Sequence, residues 1–202
     1  MNELIPTLPA LPPSWDGFHP LVVHFPIALL AVAPIFVLLG SITGYRSMMF
    51  SALVLLVLGV AGAFVATNTG EEAYNVIPND EVMDLLDPDY EYDDVAIAHG
   101  EQSELARNIF AGITACYLVV VILAYARPSS RNLVPRTAIG VVFVLALGYA
   151  NLVLANAAHL GGELVHVYGV RAVMADPDAE AEAEEEDAGE EDAEESDEET
   201  SE

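Results

Sequence analysis

The sequence predicts an all-α fold, a four-helix transmembrane bundle with a long acidic outer loop and a disordered acidic C-terminal tail. Three observations carry that expectation. Four stretches, at 20–40, 47–67, 104–126 and 137–160, match the roughly 20 apolar residues that a helix needs to cross a bilayer. None has Lys, Asp or Glu in its central apolar part. Charge is also segregated along the chain: 53% of the residues are apolar and 19% charged, yet most carboxylates gather in one loop and in the tail.

Taken in order, a segment at 1–17 leads into a transmembrane domain at 18–171. The first span, 20–40, is too long for a cleaved signal peptide and lacks a basic leader, so it is expected to stay in the mature protein. Pro26 can bend it and free a backbone carbonyl. The second span, 47–67, includes the unbroken apolar run from Leu53 to Val60. A soluble core helix would show a polar face at 3.6-residue spacing, and this run shows none. The loop at 68–103 is rich in Asp and Glu, with a short helix expected at 82–86 before Pro88 stops it. The third span, 104–126, becomes apolar from Ile109 and contains Cys116, the single cysteine. Cys116 cannot form an internal disulfide and is expected to be a small buried hydrophobe. The fourth span is 137–160. From 172 to 202 the chain is an Asp, Glu and Ala tail, expected to be disordered because it has no apolar surface to offset the entropy of folding.

The balance of 32 acidic residues against six arginines and no lysine gives a net charge of −26. Nucleic acid and anionic membrane surfaces are therefore excluded as partners, since both need clustered Lys or Arg. A lysine-free acidic chain suits a halophilic habitat, where salt screens repulsion between carboxylates. Orientation follows from the arginines, because basic residues are retained on the cytoplasmic side of short loops. Arg46 lies between spans one and two, and Arg127, Arg131 and Arg136 lie between spans three and four, whereas Arg107 and Arg171 are alone on the other side. Both termini are expected outside a plasma membrane crossed four times.

In that topology all five histidines fall at the outer end. His19 and His24 open span one, His99 leads into span three, and His159 and His166 close span four. Ionisable groups at a span are costly and tend to be functional. His24 lies about one turn, roughly 6 Å, inside Pro20, so His24 and His159 are expected to face each other, with His19 and His99 nearer the water. On span four, Asn156, His159, Glu163 and His166 share one face if the helix continues through Gly161 and Gly162, which weaken it. Glu163 and His166 form a Glu-x-x-His step, a spacing used by di-metal carboxylate bundles. Glu71 and Glu72 add carboxylates at the same level. A second way to account for the histidines is as helix-end anchors at the interface, comfortable in either protonation state.

The segment His19-Pro-Leu-Val-Val-His24-Phe-Pro-Ile-Ala-Leu-Leu30 resembles the opening of a prokaryotic four-span membrane family, domain of unknown function 2231. The resemblance continues in Thr69-Gly70-Glu-Glu-Ala-Tyr74-Asn75, in His99, and in Leu160-Gly-Gly-Glu-Leu-Val165 followed by Tyr168-Gly169-Val170. It covers about residues 18 to 171. His166 departs from the family pattern and is not a standard family position. Members are sometimes joined to redox modules, so the resemblance implies electron transfer.

Three functions are compatible with these residues. The first is a b-type haem carrier, with axial imidazoles from His24 and either His159 or His99, His19 standing beside them, and a membrane redox partner. The second is a divalent metal site built from His159, Glu163, His166, Glu71 and Glu72. The third is an accessory membrane subunit with no cofactor. Covalent haem and nucleotide binding are disfavoured, because no Cys-x-x-Cys-His and no phosphate-cradling glycine loop is present. Catalysis has no nucleophile and base pair to point to, and transport lacks midplane charges and an internal repeat. Four spans of this size are compatible with a homodimer.

Overall fold

The computed structural model describes residues 16–76, 92–126 and 133–168. The expected helix at 82–86, the acidic tail, most of the 1–17 segment, and Arg127, Arg131 and Arg171 lie outside the described residues. A 3-10 turn at Asp16–Phe18 leads into α1 (His19–Val22), α2 (His24–Thr43), α3 (Arg46–Val76), α4 (Tyr92–Ala126) and α5 (Leu133–His166). There is no strand among the described residues.

Helices α1 and α2 together form the first of four helices long and apolar enough to cross a membrane: His19–Thr43, Arg46–Asn75, Asp94–Ala126 and Arg136–His166. In the most apolar window of each, 17–28% of the residues are buried within the bundle. Many of the others present their side chains outward, as Leu145, Leu152 and Val142 do, and a bilayer supplies the apolar surroundings they need. The protein is a four-span membrane protein.

Three helices run longer than the apolar stretches predict. Hydropathy marks the thickness of the hydrocarbon, whereas a helix satisfies its own backbone and can continue beyond it. Thus α3 continues to Val76, α4 starts at Tyr92, and α5 passes through Gly161 and Gly162 to His166.

Proline shapes the first span twice. Pro26 has no N–H to offer the carbonyl four residues back, and the helix breaks at Val23, between α1 and α2. Pro34 sits inside α2 without breaking it. Its missing N–H leaves the Leu30 carbonyl free, and Asn151 of α5 donates to that carbonyl from Nδ2 at 3.3 Å, as well as to Leu147 O at 2.9 Å. A polar side chain thus repairs, from a neighbouring helix, what proline removed.

The four long helices form a ring: α2 packs on α3 and α5, and α4 packs on α3 and α5. Leu30, Leu56, Phe110 and Leu147, each at most 1% exposed, meet at its centre. The second hairpin, α4 with α5, repeats the burial pattern of the first at a constant offset for each helix. Leu30 and Val37 of the first correspond to Phe110 and Tyr117 of the second, and Leu56 and Ala66 correspond to Leu147 and Ala157, all buried. An internal repeat is therefore present in the packing, while in the sequence only a few positions repeat. Cys116 differs from expectation: it is exposed, on an apolar groove between α4 and α5 beside Gly112 and Phe143.

The turn between α2 and α3 is closed by Gly44, which adopts the left-handed conformation at φ 73° and donates its N–H to Gly40 O at 2.9 Å. The arginines at this end cap helices across the ring. Arg136 at the start of α5 donates to Ser41 O at 2.8 Å and Ile42 O at 2.9 Å, the last carbonyls of α2. Arg46 at the start of α3 donates to Ala124 O at 3.1 Å near the end of α4 and lies over the Tyr125 ring. Each guanidinium meets carbonyls without a helical partner at the negative end of a helix dipole.

Candidate functional site: a histidine pair

At the opposite end the structure brings together His19 and His99. The break at Val23 leaves α1 as a single turn, and its His19 ring lies against α3. His19 Nδ1 is 2.9 Å from Ala66 O and 3.2 Å from Thr69 Oγ1. His99, near the start of α4, lies against α5, with Nδ1 2.8 Å from Ala157 O. A carbonyl oxygen only accepts, so both Nδ1 atoms carry the proton. In the neutral ring, Nε2 then carries the lone pair. Both imidazoles are thus held in the tautomer that leaves Nε2 available as a ligand.

The two half-sites share one construction. Gly70 lies one turn beyond Ala66, and a Cβ there would come 2.8 Å from His19 Cε1; Gly161 lies one turn beyond Ala157, and a Cβ there would come 2.8 Å from His99 Cε1. Any other residue at either glycine would push the ring away. The ring centres are 6.4 Å apart and the planes cross at 87°. The repeat has one asymmetry. Thr69, fully buried, donates its hydroxyl to Ala66 O at 3.0 Å and offers His19 a second acceptor, while Leu160 stands at the corresponding position of the other half.

The remaining predicted residues are placed elsewhere. His24 is exposed and its Nδ1 lies 3.0 Å from Pro20 O of α1, across the break at Val23. His159 and His166 are exposed, as are Glu71 and Glu72, and Glu163 is half-buried. No hydrogen bond or ring contact joins His24 to His159 among the described residues. Nor do the described residues contain a group of three or more His, Cys, Asp or Glu able to hold a metal ion. Arg107 stands near the pair on α4, donating to Thr67 Oγ1 at 2.8 Å and pairing with Glu104 at 3.3 Å. It ties α3 to α4.

Sequence reasoning passes over Ala66, Gly70, Ala157 and Gly161 as parts of a site. Their signal is present as Ala-x-x-x-Gly-x-Glu, read at Ala66, Gly70 and Glu72 and again at Ala157, Gly161 and Glu163. Part of it falls in the segments on which the family resemblance rests.

Comparison with known proteins gives a family match. The family described as "Predicted membrane protein (DUF2231)" matches residues 16–174, from the turn before His19 to just past the end of α5. No curated protein and no solved structure matches the chain. The matched region takes in all four spans and both halves of the histidine pair, and the chain belongs to the DUF2231 family of predicted membrane proteins.

Proposed function

We propose that this protein is a membrane electron carrier or redox accessory subunit in which His19 and His99 hold a b-type haem through Nε2. One observation carries the reading: two imidazoles from different hairpins, each fixed in the same tautomer by a carbonyl of the next helix, with ring centres 6.4 Å apart. A haem held there would take its two protein ligands from His19 and His99 and would supply one-electron chemistry. The hydrogen bond at Nδ1 is the outer-shell partner expected of a ligating histidine, orienting the ring and raising its basicity.

The number of ligands favours haem over a bare ion. A porphyrin supplies four nitrogens, so two imidazoles complete the iron, whereas a zinc-type site draws three or four ligands from the protein. The alternative cluster of His159, Glu163, His166, Glu71 and Glu72 is spread over exposed or half-buried positions. The chain's own part is to fix both rings and to keep their Nδ1 protons engaged. With Arg46 and Arg136 at the other end, the pair faces outward by the positive-inside rule. A membrane redox partner would exchange electrons there, in a plasma membrane with both termini outside.

A second reading has its own support. Each histidine bond already joins one helix to the next, so the rings serve equally as ties within a cofactor-free accessory subunit. Absorption spectra of the purified, haem-reconstituted protein separate the two. The haem reading expects a Soret band that shifts on reduction, and a protein that stays colourless contradicts it.

A further inference from the structure

Each half of the site fixes the plane of its ring as well as its tautomer. A ring held at Nδ1 by a helix carbonyl, with its Cε1 side lying close over a glycine that leaves no room for a Cβ, is constrained in the direction of its plane. The same two constraints act on His19, through Ala66 and Gly70, and on His99, through Ala157 and Gly161. The outcome is a pair of planes crossed at 87°. Neither ring can be displaced without breaking its carbonyl bond, and the two come from opposite hairpins.

We infer that the pair is a closed, six-coordinate site with crossed axial imidazoles, suited to carrying electrons and shut to added ligands. The inference rests on the haem reading above. Axial ligands are among the protein's main controls on a haem iron. Parallel imidazole planes split the two iron d orbitals of π symmetry and give a rhombic low-spin signal. Crossed planes leave those orbitals nearly degenerate and give a highly anisotropic low-spin signal dominated by one large g value. The angle between the rings is therefore readable without any assay of activity.

The test is electron paramagnetic resonance of the full-length ferric protein at low temperature, with optical spectra of the reduced protein under carbon monoxide. The expected result is the highly anisotropic low-spin signal and an optical spectrum that carbon monoxide leaves unchanged. Gly70→Ala and Gly161→Ala, which place a methyl against each ring, should each shift the signal toward the rhombic form or open the site to carbon monoxide. A wild-type protein with a Soret band but a rhombic or high-spin signal, or one that takes up carbon monoxide, overturns the crossed, closed site and leaves haem binding standing. Absence of any Soret band overturns both.

Discussion

Asn151 shows how one residue can answer for another. It donates to Leu30 O because Pro34, four residues on, cannot. Asn151→Leu should therefore destabilise the detergent-solubilised protein by up to about 1.7 kcal/mol, the upper range for side-chain hydrogen bonds between membrane helices. In a Pro34→Ala background the cost should shrink, because alanine at that position restores the N–H that Leu30 O lacks. Thermal unfolding of the four-member cycle measures the coupling, and equal costs in both backgrounds would contradict the assignment. Both residues are visible in the sequence, but their partnership is not. It depends on α5 lying beside α2, which no local pattern encodes. The same limit hides the histidine pair. His19 and His99 are recognisable as candidates, and the expected pairing of His24 with His159 comes from depth along the helix alone. Depth does not fix rotation, and the break at Val23 turns His19 inward while His24 bonds back across the break to Pro20 O.

Among the helices, the ends opposite the histidine pair carry a second testable feature. Arg136 donates to two carbonyls at the C-terminus of α2, beside the left-handed Gly44. Arg136→Ala should cost about 1 kcal/mol through loss of the cap and its interaction with the helix dipole. Gly44→Ala should cost about 1–2 kcal/mol for the left-handed backbone, and its methyl would also collide with the Arg136 guanidinium. Thermal unfolding should rank both below wild type, and an unchanged midpoint for either would contradict the capping role. In the sequence these arginines serve only as topology markers. Their capping role is out of reach there, because it joins residues of different hairpins. The spans themselves are legible, since apolar runs report the hydrocarbon directly. The lengths of α3, α4 and α5 are not, because a helix leaving the membrane loses its hydropathy signal without losing its hydrogen bonds.

At the level of the whole molecule, two hairpins repeat one another in burial while sharing few residue identities. Leu30 corresponds to Phe110 and Val37 to Tyr117, so size varies where position is kept, and repeated letters survive only locally, as at Ala66 and Gly70 against Ala157 and Gly161. The repeat places the histidine pair at one end and the capping arginines at the other. Single cysteines in a Cys116→Ala background test its orientation. A membrane-impermeant thiol reagent applied to intact cells should label Asn75→Cys, at the histidine end, and spare Tyr45→Cys, and the reverse pattern would invert the topology. The central claim is that His19 and His99, rather than the exposed histidines, form the functional site. The most direct measurement is the reduced-minus-oxidised absorption spectrum of haem-reconstituted wild type beside His19→Ala, His99→Ala, His24→Ala and His159→Ala. The account predicts a Soret difference band in wild type that is abolished in the first two variants and retained in the last two. A band that survives loss of His19 and His99, or no band in wild type, would contradict it.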